Sequence, residues 1–588
     1  MAGIFNQLDA QIAELLAGWN IYSTGLLVGI VVFIGWVVYD TQDADTHPLL
    51  LARQSQASYV RQPGESAIYR SPEAPHGYSL RTGLAVKPPG APMYSAGRDG
   101  DLRDIWRRVT GEIPLEKNAN AGVSSGTAKI MTVFGKEEIT EHDVMEISKE
   151  ISVIGQHLKE HNAKKVAIYL PNSVEFLSSL FAGAFYGFSP ILIPYNQPHS
   201  TLIELLIQTG ADSLIAQAGS VPLDEVSKGV SGLRSVIWTV EKTSRHMDWN
   251  EVPEGIGGKT DVSVWHELVS ERTGSLQLPQ DTEKAPNVVF LWQEAPGKPA
   301  EIVDFTQQNI SAATGALISA LPVPQRLSPT DTFFPGDTFT QSYTLCLTLA
   351  ALFSHSTVVI NSVAGPGIDL RIATRLIAPT VAVVSAETAA KLHDTTTTSI
   401  TGSLKKFAHY LETRVLTSGK LPTDTFLTRL NAPTRASIGT TPGKLRLLFV
   451  SERSGHNTPP LSSEDLSDLR IYTKARVIYA LTAAKVAGAV AQTNIYDYRR
   501  GTTPANKHCH FGIPLSSVEV KLKDTVSHKT TDDGPVGEII VSGPAVAGGE
   551  TELGVDGTYH EESERNHANM IQVLSGKTTH LRTFEETV

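Results

Sequence analysis

The chain has 588 residues, a net charge of −11 and only two cysteines, Cys346 and Cys509. That length exceeds the roughly 250–300 residues one hydrophobic core can serve, so several cores are expected. The charge is spread along the chain with no basic stripe, which excludes a nucleic-acid partner. Two distant cysteines exclude a disulfide scaffold and suit a body facing the cytosol.

In chain order, residues 1–20 form an acidic leader containing Asp9 and Glu14. The run 21–39, "IYSTGLLVGIVVFIGWVVY", carries no charge. As a helix rising about 1.5 Å per residue, it matches the roughly 30 Å hydrocarbon core of a bilayer. Trp19, Tyr22, Trp36 and Tyr39 lie near its ends, where aromatic rings favour the interface. An acidic leader does not suit a cleaved signal peptide, so Ile21–Tyr39 reads as a retained single-pass anchor. The first basic residues, Arg53, Arg61 and Arg70, follow the span and place the C-terminal body in the cytosol, on the endoplasmic reticulum or another organelle membrane. Gly25 and Gly29 form a GxxxG pair through which two anchors could pack, so a homo-oligomer is open.

Residues 40–100 contain Pro48, Pro63, Pro72, Pro75, Pro88, Pro89 and Pro92 and read as an extended tether or a wrapped arm. Residues 101–510 then alternate helical and short apolar strand patterns, implying a mainly parallel sheet covered by helices. "ITEHDVMEISKEISVIGQHLKEHN" has helical periodicity and "VAIYL" is strand-like; "EFLSSLFAGAFYG", "SPILIPY", "TLIELLIQTG" and "DSLIAQ" continue the alternation. The polar stretch 240–286 reads as a surface connection, and "HDTTTTSITGS", 393–403, as a low-complexity loop. Residues 511–548 change to short β segments, giving a small β subdomain, and 549–588 read as a polar, partly disordered tail.

Three short motifs fail on inspection. "LWQEAPGKPAEI" has Trp292 and Pro299 where a Walker loop needs Gly and Ser/Thr. "GVSSG", 122–126, matches a nucleophile elbow but lacks the preceding strand that would strain the turn. "HCH", 508–510, has no second ligand cluster to make a metal site, so no metal ligand is assigned.

The order of the larger segments carries more. "VAIYLPNSVEFLSSLFAGAFYGFSPILIPYN", "LWQEAPGKPAEIVDFTQQN", "LRLLFVS", "ARVIYALT", "HFGIPLSSVEVKLKD" and "GEIIVSGPAV" occur in sequence between about residues 100 and 548. This string resembles the adenylate-forming (AMP-binding) superfamily, and within it the long-chain acyl-CoA synthetases. The resemblance implies an α/β fold: a large N-terminal domain of two α/β subdomains plus a small β subdomain, here behind one transmembrane helix. It also implies fatty acid–CoA ligation with ATP, Mg²⁺ and CoA, through an acyl-adenylate. The family's site uses a hydroxyl- and Gly-rich loop ending in Pro-Lys-Gly, a Tyr-Gly-x-Thr-Glu turn whose Glu helps hold Mg²⁺, and a Thr-Gly-Asp on the ribose. A mobile C-terminal domain supplies a catalytic Lys.

The sequence departs at each of those places. Of the loop, Gly297, Lys298 and Pro299 remain, while Ala300 and Glu301 stand in place of Lys and Gly. Pro296 removes an N–H, and an inward Glu294 would repel a phosphate by about 4 kcal/mol at 4 Å and an effective dielectric of 20. Of the turn, Tyr479 and Thr482 remain, with Ala480 for Gly and Ala483 for the metal-holding Glu. Glu452 and Arg453 replace small residues that lie against adenine in the family. No Thr-Gly-Asp follows "GEIIVSGPAV", and the end at Val588 leaves no room for a C-terminal domain.

Losing one positioned transition-state donor costs about 10²–10³ in rate, and several losses leave little adenylation. The expectation is therefore a non-catalytic, membrane-anchored relative with no catalytic residue and no cofactor. Its binding or scaffolding role would be in lipid metabolism, with an acyl chain, acyl-CoA or an active relative as partner. Gly297, Lys298, Pro299, Tyr479 and Thr482 would be remnants of the nucleotide site. The alternative is an active long-chain ligase with an atypical phosphate site, drawing its cations from Lys298 and Lys485.

Overall fold

The computed structural model describes residues 17–577 apart from 41–42, 53, 89, 93, 115–127, 135–137, 241–259, 272–276, 281–283, 427, 456–460, 501–508, 527, 532–535 and 563–565. The side chains of 36–40, 52, 134, 138 and 559–577 also lie outside the description. "GVSSG" and His508 fall among these residues.

Three sheets organise the described residues. In the seven-stranded sheet the order is Ala300–Phe305, Val288–Gln293, Ser189–Leu192, Lys165–Tyr169, Ser213–Gln217, Ser235–Thr239 and Asp261–Val264. All neighbours there are parallel except the first pair, a hairpin. In the nine-stranded sheet, Arg476–Thr482, Leu447–Arg453, Val381–Ser385, Thr332–Pro335, Thr357–Asn361 and Ile130–Phe134 run parallel, with antiparallel strands at both edges. The six-stranded sheet is antiparallel. The mixed α/β class expected from the alternation is the one observed.

The parallel strands are apolar along their length because helices cover both faces. Val381–Ser385 and the first six residues of Leu447–Arg453 are buried throughout. Local signals set the helix ends. Ser173 caps the helix Val174–Tyr186 through the Phe176 N–H, and Gly187 ends it at φ 85°. Thr306 and Asn309 form a reciprocal capping box on Gln307–Ser319.

Several segments differ from the sequence reading. "ITEH" pairs as the edge strand Glu138–His142, and the helix begins only at Val144 behind the Asp143 cap. The stretch read as a connection contains the strand Asp261–Val264 and the helix Trp265–Glu271, pinned by the buried Trp265 ring. The Thr-rich run continues the helix Ala386–Thr397. There the hydroxyls of Thr395 and Thr396 donate back to the carbonyls of Lys391 and Leu392, which satisfies them without leaving the helix. In the polar tail, Glu550–Glu562 and Asn566–Lys577 pair as a hairpin on the third sheet. Alternation places Thr551 and Val555 on its buried face.

Residues 43–100 wrap the body as an arm. Asp45 accepts hydrogen bonds from Tyr498 Oη (2.9 Å) and an Arg476 guanidinium N–H (3.3 Å), and its own N–H reaches the Gly419 carbonyl. Tyr69, Leu84 and Val86 are buried. The preceding apolar run forms the helix Ile21–Asp40, on which Ile21, Tyr22, Leu26, Phe33 and their neighbours are exposed. Among the described residues, no helix is long and apolar enough to cross a membrane.

Helix Val144–Glu160 crosses Val174–Tyr186 at Gly155, where a Cβ would overlap the Tyr186 ring. That ring is held by a hydrogen bond between its hydroxyl and Ser152 Oγ (3.0 Å). Gly155→Ala is therefore expected to destabilise the protein by about 1–3 kcal/mol through overpacking. A denaturation midpoint unchanged from wild type would show that the crossing is looser than this.

Candidate functional site

The residues expected as remnants of two motifs lie on different sheets. Gly297, Lys298 and Pro299 sit in the turn joining Val288–Gln293 to Ala300–Phe305 on the seven-stranded sheet, with Gln293 paired to Ala300. Tyr479 is the central residue and Thr482 the last of strand Arg476–Thr482 on the nine-stranded sheet. An exposed ion pair brings the two together: Lys485 Nζ, just past the second strand, lies 3.2 Å from Glu301 Oε1 on the hairpin. Crevices beyond the carboxyl ends of parallel strands are where open α/β sheets bind ligands. Here Asn172, beyond strand Lys165–Tyr169, joins the two sheets. Its amide donates to the Asp337 carbonyl (2.8 Å), and its side-chain oxygen accepts from the Phe339 N–H (2.8 Å).

The turn's polar groups are bonded within the chain. Gly297 takes φ 82°, which its missing side chain permits, and its N–H donates to Gln197 Oε1 at 3.1 Å. The Gln197 amide in turn donates to Gln293 Oε1 (2.7 Å), and the Gln293 amide donates to the Lys298 carbonyl. The Lys298 N–H closes back on the Ala295 carbonyl (3.1 Å). Pro296 and Pro299 have no N–H. The Glu294 and Lys298 side chains are exposed, so Glu294 does not point inward and its charge is screened by water.

The second remnant is similarly closed. Tyr479 is fully buried, stacks on Phe511 with ring centroids 4.7 Å apart, and donates its hydroxyl to Glu452 Oε2 at 2.6 Å. Burial first, then the Glu452 carboxylate, hold the phenol well above its ordinary range, so it remains a donor. The Thr482 hydroxyl donates to the Glu452 carbonyl (2.8 Å), and the Ser454 N–H donates to the Thr482 carbonyl (2.8 Å). Neighbouring Arg453 points toward Asp337, 3.8 Å away. Asp337 is completely buried, and its carboxyl is pushed up by burial, with Arg453 and the Thr338 N–H opposing.

A triphosphate needs converging N–H donors, a cation and a carboxylate for its magnesium. The Gly297 and Lys298 N–H groups here meet protein acceptors, and Ala483 brings no carboxylate. These residues do not fit ATP with its magnesium. Cys509 and His510 lie outside any strand; His510 Nδ1 accepts from the Gly512 N–H, and its Nε2 lies 3.6 Å from Asp497. Sequence reasoning missed Gln197, Asn172 and Asp337. Their polar side chains after apolar strand patterns, in "IPYNQP", "IYLPN" and "FFPGD", were the available signal.

Solved structures share this architecture. VinN matches with a TM-score of 0.53 and 12% identity, over 84% of this chain and 100% of VinN. The anthranilate CoA ligase AuaEII, in complex with anthranoyl-AMP, matches at 0.53 and 13%, over 82% of this chain and 77% of its own. The A domain of the carboxylic acid reductase from Segniliparus rugosus, in complex with AMP and a co-purified carboxylic acid, matches at 0.55 and 11%, over 81% and 74%. The chain has the fold of the adenylate-forming enzymes. No family model matches its sequence, and no curated protein does. At these identities the adenylate-forming likeness is one of architecture.

Tyr479→Phe keeps the ring stack and removes the hydroxyl that donates to Glu452 Oε2 and accepts from the Leu461 N–H. The variant is expected to lose about 1.5–3 kcal/mol of unfolding free energy, the worth of a hydrogen bond to a charged group. Urea denaturation checks this, and an unchanged midpoint would mean that the carboxylate finds water instead.

Proposed function

We propose that this protein is a membrane-anchored member of the adenylate-forming, acyl-CoA synthetase-like group that does not carry out ATP-dependent ligation. Its role on this reading is binding or scaffolding in lipid metabolism at an organelle membrane, with the body in the cytosol. The observation that carries the reading is the closed bonding of the old nucleotide site. Gln197 holds the Gly297 N–H and Glu452 holds the Tyr479 hydroxyl. A nucleotide drawing on the Gly297 N–H or the Tyr479 hydroxyl would have to displace these contacts, at about 0.5–1.5 kcal/mol for each hydrogen bond exchanged. An acyl chain needs neither the phosphate turn nor Ala483, so an acyl chain or acyl-CoA is the ligand class that remains. Pairing with an active relative is the scaffolding form of the same proposal.

Anchoring is supported by the exposed apolar side chains of Ile21–Asp40, a surface that water does not favour. It is also supported by the seating of the chain just after that helix. Asp45 is fixed to Arg476, Tyr498 and Gly419, so a helix in a bilayer would hold the body close to the surface. Near Gly419, helix Ser403–Thr417 presents exposed Leu404, Phe407 and Tyr410.

Full-length protein assayed for fatty-acid-dependent ATP–pyrophosphate exchange is expected to remain at background, and Lys298→Ala is expected to change nothing. Exchange that requires a fatty acid and disappears in Lys298→Ala would establish a working ligase instead. In fractionated cells the full chain is expected to resist alkaline carbonate extraction, and deletion of residues 21–39 to release it. Release of the intact chain by carbonate would remove the anchor from the proposal.

A further inference from the structure

A cluster far from the nucleotide remnants in sequence has the chemistry of a metal site. His157 and His161 are one turn apart at the C-terminal end of helix Val144–Glu160, where His161 is the capping residue. A spacing of i, i+4 puts both imidazoles on one face. Their ring centroids are 4.3 Å apart. Asp261 opens the edge strand Asp261–Val264 of the seven-stranded sheet and meets them from the other side. One nitrogen of each ring and one Asp261 oxygen all lie within 4.8 Å of one another.

Bonding at His161 decides what this arrangement can hold. Its Nδ1 lies 2.8 Å from the His157 backbone carbonyl. A carbonyl oxygen carries no proton, so Nδ1 must be the donor. Nε2 then faces Asp261 Oδ2 at 3.0 Å. In the neutral ring that Nε2 is a bare lone pair aimed at a carboxylate, which is repulsive unless a cation lies between them. A proton on the ring would serve, and so would a metal ion. The carbonyl contact is also the arrangement that orients metal-binding histidines, fixing the tautomer so that the free nitrogen points at the ion.

Ligand type and spacing select the ion. Two imidazoles and one carboxylate suit first-row divalent transition cations, and Zn²⁺ takes this set at about 2.0–2.2 Å. Tetrahedral ligands at that distance are about 3.3 Å apart, close to the His161–Asp261 separation; the remaining pairs need a small side-chain rotation. We propose that His157, His161 and Asp261 form a binding site for a divalent first-row transition cation, Zn²⁺ by preference, with the fourth position open to water. The site ties the end of helix Val144–Glu160 to the outermost strand of the seven-stranded sheet. It is independent of whether the old nucleotide site retains any activity.

The test titrates metal-free, untagged full-length protein with Zn²⁺ by calorimetry at neutral pH, with a thermal melt alongside. The chain has 18 histidines, so variants must identify the site. Wild type is expected to take up one tightly bound Zn²⁺ and to melt at a higher temperature when loaded. His161→Gln and Asp261→Asn are each expected to weaken that uptake by at least the roughly 10–100-fold that losing a mere supporting partner costs. Asp261 is half exposed and Asn is its near-isostere, so this variant retains the fold. No stoichiometric uptake by wild type would overturn the proposal, leaving a protonated His161–Asp261 ion pair. Uptake that is unchanged in Asp261→Asn would also overturn it, by locating the ion on other histidines.

Discussion

The hydrogen bond from the Tyr479 hydroxyl to Glu452 ties the middle of strand Arg476–Thr482 to the carboxyl end of its parallel neighbour Leu447–Arg453. It does so at the edge where an open α/β sheet would receive a ligand. A buried carboxylate is costly unless bonded, and the Tyr479 hydroxyl is one donor to it. Once Glu452 is in place, its backbone carbonyl takes the Thr482 hydroxyl, and the following Arg453 turns toward the buried Asp337. Tyr479 and Thr482, expected from the sequence to be remnants of a nucleotide motif, are thus bonded internally.

The phosphate turn reaches the same end by another route. Its backbone still makes the left-handed bend at Gly297, but a glutamine from the segment after Ser189–Leu192 reaches across to hold it. Gln197 and Gln293 exchange amide bonds while buried, a fully paired network of the kind that rigidifies its surroundings. The two closures face each other through Lys485 and Glu301. That exposed pair adds about 0–1 kcal/mol and sets the geometry more than the stability.

Much of the fold was legible because its signals are local. Apolar runs such as "VAIYL" and "DSLIAQ" became strands, and "EFLSSLFAGAFYG" and "TLIELLIQTG" became helices between them. Misreadings arose where composition and tertiary context disagree. A threonine run looks like a loop until its hydroxyls bond back along a helix. A polar tail becomes a hairpin once a sheet edge is present to receive it. At the candidate site, the departures from the resembled family's pattern at Pro296, Ala300 and Ala483 could be read directly. What fills the space could not, because Gln197 is 100 residues from Gly297 and Asn172 is 165 from Asp337. No periodicity or spacing rule connects such pairs; only the folded sheets bring them together.

Equilibrium binding of ATP with Mg²⁺ to the full-length protein tests the central claim most directly, because it asks about occupancy of the site without requiring turnover. Titration calorimetry is expected to show no saturable binding up to about 1 mM, the level that corresponds to roughly 4 kcal/mol of affinity. Saturable binding below that concentration, competed by AMP and abolished by substitution at Lys298, would contradict the account and reopen the site as a functioning nucleotide pocket.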